Sequence, residues 1–105
     1  MKIDAFISEY TARLIKLLET IDKKSISEII NIMEEVDQRN GTIYILGNGG
    51  SAATASHMVN DLGVGLKRRN IKSFKVISLA DNTPVCSALA NDIGYENIFY
   101  MQLKD

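Results

Sequence analysis

The chain has 105 residues, 46% apolar and 24% charged, with a net charge of −1 and one cysteine, Cys86. That length is one small domain or part of a larger one, and its apolar content is enough for a core. The balanced charge argues against a nucleic-acid or membrane-surface partner, and a lone cysteine excludes an internal disulfide framework and fits a reducing cytoplasm. Lys2 is not followed by the apolar stretch of a signal peptide, and no run approaches the ~18 apolar residues that span a bilayer. A soluble, cytoplasmic protein is expected.

Ile3, Phe6, Ile7, Ala12, Leu14, Ile15, Leu17 and Leu18 recur at the spacing of an amphipathic helix over residues 3–20. Ser25-Ile26-Ser27-Glu28 has the capping-box pattern and predicts the start of a second helix, carried on by Ile29, Ile30, Ile32, Met33 and Val36. Asn40-Gly41 predicts its end. These helices form a leading segment, residues 1–40, with no linker before residues 41–105.

From Thr42 the pattern changes. Thr42–Leu46 is a short β-branched, apolar run that predicts a buried parallel strand. A helix over about Ser51–Leu62 follows, then a loop over Gly63–Asn70 that holds Lys67-Arg68-Arg69 as a solvated run. Phe74–Leu79 predicts a second strand. Asp81-Asn82-Thr83-Pro84 opens another helix, with Pro84 suited to the first helical position. Asn91-Asp92-Ile93-Gly94 predicts a break before a last amphipathic helix over Tyr95–Asp105, which carries no stop signal.

Strand, helix, strand, helix in this order predicts an α/β fold with a parallel sheet and right-handed crossovers. Two strands are few for a sheet that stands alone. Further strands are expected from a continuation of the chain or from a second chain.

Three groups of residues could carry chemistry. Gly47-Asn48-Gly49-Gly50-Ser51 joins the first strand to a helix, where backbone N–H groups and the helix dipole favour an anion. It is neither a Walker A loop nor a dinucleotide fingerprint, which disfavours a nucleotide-binding fragment. A plain strand-to-helix turn is the alternative, although ligands of open α/β sheets collect at the carboxyl ends of strands. Asn48 can donate to and accept from a sugar hydroxyl, and Ser51 can cap the helix or bind a ligand oxygen.

His57 and Asp61, four residues apart on one helix, share a face. They could form two arms of a metal site, a base with its orienting partner, or a surface hydrogen bond. Asn91-Asp92 reads from spacing alone as a helix end with local backbone bonds, and Cys86 as a small buried side chain.

Taken together, Gly47–His57, Leu79-Ala80-Asp81-Asn82 and Asn91–Phe99 resemble the phosphoheptose isomerases, which are sugar isomerase (SIS) domain proteins. The resemblance covers the whole chain. It implies a flavodoxin-like parallel sheet sandwiched by helices and preceded by N-terminal helices, in a homotetramer with sites at subunit interfaces. The implied reaction interconverts sedoheptulose 7-phosphate and a mannoheptose 7-phosphate for bacterial surface-polysaccharide synthesis.

Carried over by motif, Asn48, Gly49, Gly50, Ser51, Asn91 and Asp92 would bind substrate. His57 and Asp61 would hold one zinc per site, and Asp61 would also be the catalytic acid/base and touch substrate. The family places glutamate where this chain has Asp61, one methylene longer. Its second phosphate loop and its C-terminal glutamine and histidine fall beyond Asp105, so the 105 residues alone are expected to be inactive. The alternative is a non-catalytic SIS module that binds a sugar phosphate or regulates.

Overall fold

The computed structural model of the chain describes residues 2–105. Helices α1 (Lys2–Glu19) and α2 (Lys23–Gln38) lead into strand β1 (Ile43–Ile45) and helix α3 (Gly50–Val59). A π-helical turn (Asn60–Gly65), a short α4 (Leu66–Arg68) and strand β2 (Val76–Ser78) follow. Helix α5 (Thr83–Ile93), a 3₁₀ turn (Tyr95–Asn97) and α6 (Ile98–Leu103) complete the order. The chain divides into two compact units, one through Ile32 and one from Met33, and α2 runs across the division.

In the first unit α1 forms where the apolar spacing predicts it. Phe6 and Tyr10, one turn apart, lie with ring centroids 6.3 Å apart, and no residue of α1 is buried. Helix α2 begins two residues before the expected Ser25, because Asp22 is the cap. Its Oδ1 accepts the N–H groups of Lys24 at 3.1 Å and Ser25 at 3.2 Å, and its Oδ2 accepts the Ser25 hydroxyl at 2.7 Å. A carboxylate satisfies these donors and also meets the positive end of the helix dipole, so it displaces the serine from that role. The Ser25 hydroxyl, then the Ser25 N–H, hold the Asp22 carboxyl below its ordinary value.

In the second unit β1 and β2 pair in parallel, with Ile43 opposite Val76, Tyr44 opposite Ile77 and Ile45 opposite Ser78. Helix α3 packs on both strands. The strands are not buried on both sides as expected: Ile43, Ile45, Val76 and Ser78 are shielded, while Tyr44 and Ile77 are about half exposed. Side chains alternate between the two faces of a sheet, so cover on one face leaves every second residue open. Ala55, Phe74, Leu79 and Ile98 form the core of this unit.

The helix that starts at Gly50 does not end near Leu62. It continues through the π turn to Arg68, so the expected loop over Gly63–Asn70 is mostly helical. The Leu62 carbonyl accepts the N–H of Phe74 at 3.2 Å, a tie to the chain entering β2 that offsets part of the ~1 kcal/mol that each of Gly63 and Gly65 costs a helix. The stop comes at Asn70, in the left-handed region at φ 56°. Ile71 N–H returns to Leu66 O at 3.1 Å and Asn70 N–H to Lys67 O at 3.0 Å.

The same double closure ends α2. There Asn40 has φ 58°, Gly41 N–H bonds Val36 O at 2.8 Å, and Asn40 N–H bonds Asp37 O at 2.9 Å. These are Schellman ends with asparagine in the place glycine usually takes.

Helix α5 starts as predicted. Asn82 Oδ1 accepts the Val85 N–H at 3.0 Å and Pro84 sits in the first turn. Asn91 and Asp92 do not break it but form its last turn; Gly94, at φ 105°, makes the break alone. The expected helix over Tyr95–Asp105 is a 3₁₀ turn and six residues of α6, with Lys104 already extended. Lys72 ties the end of α2 to the approach of β2, contacting Glu34 at 2.6 Å and Asp37 at 3.1 Å. Donating to the Glu34 carboxylate, and then to that of Asp37, raises the Lys72 pKa.

The Asp22 cap predicts a pH-dependent stability. A folded pKa below the unfolded 3.8 means that the contribution is complete above that value and is lost as pH falls through the folded pKa. Asp22→Ala should therefore lower the thermal midpoint at pH 7, and its deficit should shrink as pH falls below 3.8 in circular-dichroism melts.

Candidate functional site

The loop after β1 is set by two glycines for different reasons. A Cβ at Gly47 would stand 2.6 Å from Ser51 O and 2.8 Å from Ser51 Cβ, so only glycine lets the first turn of α3 fold back over the strand end. Gly49 has φ 56° and ψ −123°, a conformation that side chains disfavour. Gly50 differs: a Cβ there would meet nothing within 4 Å.

Ser51 does not cap α3, for the N-cap is Gly49 and no side chain bonds the helix start. Ser51 N–H bonds Asn48 O at 2.9 Å, and the N–H groups of Ala52 and Ala53 both reach Gly49 O. Among the described residues the N–H groups of Asn48, Gly49 and Gly50 meet no backbone acceptor. Three free donors, an unengaged serine hydroxyl and open space over Gly50 make a surface that suits a ligand rich in oxygen.

Asn48 points across the loop and donates its Nδ2–H to Tyr95 Oη. The two residues line a pocket of about 160 Å³ together with Gly47, Ala52, Cys86 and Phe99. Cys86 is thus half-buried at a pocket wall rather than fully buried; its thiol donates to Leu79 O at 3.4 Å.

His57 and Asp61 do share a face, with Nε2 and Oδ2 3.3 Å apart and the side chains 74% and 60% exposed. They line a second hollow of about 370 Å³ with Ala53, Thr54 and Met58. The loop and this pair are not in one pocket, because α3 turns about 100° per residue. His57 stands roughly 140° around the helix from Ala52, the residue of α3 in the loop pocket.

The pair can hold a metal only in part. Two ligands of a tetrahedral zinc at ~2.0–2.1 Å stand about 3.3–3.4 Å apart, which the Nε2–Oδ2 spacing matches. No group of three or more candidate ligands occurs among the described residues, and a zinc centre needs at least one more protein donor.

Asn91 Nδ2 donates to Asp92 Oδ1 at 3.0 Å, both side chains are exposed, and neither lines the loop pocket. Two contacts have no warning in the sequence. Ser56 donates to the Asp81 carboxylate and ties α3 to the chain before α5, and Tyr95 meets Asn48 across 47 positions. Periodicity assigns Tyr95 to a helix; only the reversal at Gly94 hints that it turns elsewhere.

A family model described as SIS domain matches residues 5–104. The chain belongs to the SIS domain family. It is 35% identical over 89 residues to a phosphoheptose isomerase of Helicobacter pylori, covering 85% of this chain and 45% of that protein. To a phosphoheptose isomerase of Geotalea daltonii it is 32% identical over 92 residues, or 85% and 47% of the two chains. The solved phosphoheptose isomerase of Neisseria gonorrhoeae superposes with a TM-score of 0.80 at 24% identity, over 98% of this chain and 52% of that one. The fold is therefore the expected α/β SIS type, and the relatives are those the motifs pointed to. The chain spans about half the length of the curated relatives it matches.

The glycines can be told apart by substitution. Gly47→Ala should destabilise the protein by about 1–3 kcal/mol through overpacking, and denaturant titration measures it. Gly50→Ala should be neutral or stabilise by up to ~1 kcal/mol, yet weaken any oxygen-rich ligand that needs the space above it.

Proposed function

We propose that the chain carries one side of the active site of a sugar-phosphate aldose–ketose isomerase, with sedoheptulose 7-phosphate as substrate and a mannoheptose 7-phosphate as product. The observation that carries the proposal is the free-donor loop at Asn48–Ser51 beside a helix that presents His57 and Asp61. It stands in a chain related over most of its length to proteins named phosphoheptose isomerase. The loop donors and Ser51 receive oxygens of the sugar phosphate, and Asn91 and Asp92 contact the sugar.

The Asp61 carboxylate acts as acid/base. It takes a proton from the hydroxyl-bearing carbon beside the carbonyl and returns it to the former carbonyl carbon, while one proton passes between the two oxygens. His57, 3.3 Å away, orients Asp61 when no metal is bound. His57 and Asp61 would together hold two corners of a zinc, which when bound polarises the carbonyl oxygen.

The implied homotetramer belongs to this proposal, and the exposed apolar side chains of α1 and α2 support an assembly that covers them. So does service in surface-polysaccharide synthesis in the cytoplasm. Cys86, unpaired, suits a reducing compartment, and no described helix is long and apolar enough to cross a membrane.

A second function, a sugar-phosphate-binding SIS module without turnover, is favoured by one observation. By the motif resemblance Asp61 stands in place of a glutamate, which retracts the carboxylate by roughly 1.5 Å, a displacement that can cost ~100-fold in rate.

Joining this chain to the C-terminal half of the Helicobacter pylori relative tests the proposal. The fusion is expected to isomerise sedoheptulose 7-phosphate, and Asp61→Asn within it should cut turnover by ~10²-fold or more with little change in melting temperature. A folded fusion that binds the substrate without converting it would support the non-catalytic module instead. Metal analysis of the same fusion checks the zinc arm: His57→Ala should reduce bound zinc to background, and equal zinc in both proteins removes His57 from that role.

A further inference from the structure

We propose that Tyr95 is a ligand-contacting residue of the loop pocket, fixing the Asn48 carboxamide and donating its own phenolic proton to a hydroxyl of the bound sugar. The proposal depends on the loop being a sugar-phosphate site and names a recognition residue within it.

The geometry begins at Gly94. Its φ of 105° is a conformation that L side chains rarely adopt, and it turns the chain out of α5 into the 3₁₀ turn that starts with Tyr95. From there the phenol reaches the loop after β1, where its oxygen accepts the Asn48 Nδ2–H. A phenol oxygen that accepts this bond keeps its own O–H, and an amide held by one N–H keeps its carbonyl oxygen. Neither the Tyr95 proton nor Asn48 Oδ1 has a partner among the described residues.

The pair thus offers one donor and one acceptor side by side at the pocket mouth. A sugar hydroxyl, which both accepts and donates, matches that pair. The dianion of a phosphate ester suits the pair less, since it only accepts and is met better by the free backbone N–H groups of the loop. No residue that lines this pocket is charged. The pocket therefore receives a sugar hydroxyl and not the phosphate, and Ala52, Cys86 and Phe99 form an apolar wall that strengthens the polar contacts beside it.

Tyr95→Phe removes one oxygen and keeps the ring. Calorimetric titration of the full chain with sedoheptulose 7-phosphate should show about three- to tenfold weaker binding, the size expected for one neutral hydrogen bond. Inorganic phosphate should behave identically with both proteins, and the thermal midpoint should fall by no more than the loss of one exposed hydrogen bond causes. In the ligand-free protein the Asn48 side-chain amide signals should move on Tyr95→Phe, which reads the positioning contact without any ligand.

Equal affinity of the two proteins for sedoheptulose 7-phosphate would overturn the proposal while leaving the sugar-phosphate site intact. An equal loss for inorganic phosphate would overturn it too, as a general disturbance of the loop. Absence of sugar-phosphate binding by the wild type would overturn the site itself, and the hydroxyl contact with it.

Discussion

The tight reversal at Gly47 is the constraint on which the rest of the second unit depends. Ser51 O lies so close to the Gly47 Cα that no side chain fits between them. That approach sets the start of α3 against the carboxyl end of β1, next to the free N–H groups of Asn48, Gly49 and Gly50. A looser turn would displace α3 along the strands, and with it the cover of Ile43, Ile45, Val76 and Ser78. Ala55, 2% exposed, marks how closely the helix meets the sheet.

Helix α3 then serves two hollows. One side, through Ala52, closes the pocket of Asn48 and Tyr95; the other presents Ala53, Thr54, His57 and Asp61. Its rotation is held at several points: the turn at Gly47, the Ser56–Asp81 hydrogen bond, and the Leu62–Phe74 tie in the π turn. A helix clamped in this way can hold two titratable side chains at a constant spacing while both stay open to a ligand. The cost is a π turn in place of regular helix, a departure often found next to functional sites.

Much of this was legible because it is local. The 3.6-residue spacing of Ile3, Phe6, Ile7 and Leu14, the Asn82–Pro84 helix start, and the Asn40-Gly41 stop each depend on neighbours within one turn. The shared face of His57 and Asp61 has the same origin, since positions four apart on a helix must coincide. Where two local signals compete, the pattern misleads. Asp22 and Ser25 both suit a cap, and the carboxylate wins because it takes two N–H groups and the serine hydroxyl at once. Gly63 and Gly65 suggest a loop, but the helix continues through them, tied to the chain entering β2 by the Phe74–Leu62 bond.

By itself the amino-acid order determined the two leading helices, the two strands with a helix after each, the parallel α/β arrangement, the glycine loop at a strand's carboxyl end, and the pairing of His57 with Asp61. All follow from backbone periodicity and from what glycine, asparagine and proline permit. Only the tertiary structure decided that Asn48 meets Tyr95, that Ser56 meets Asp81, and that the loop and the His57–Asp61 pair occupy different sides of one helix. It also decided that one face of the sheet stays open in this chain. Those outcomes depend on the rotation of α3 about its axis and on contacts between residues far apart in sequence, which no local pattern encodes.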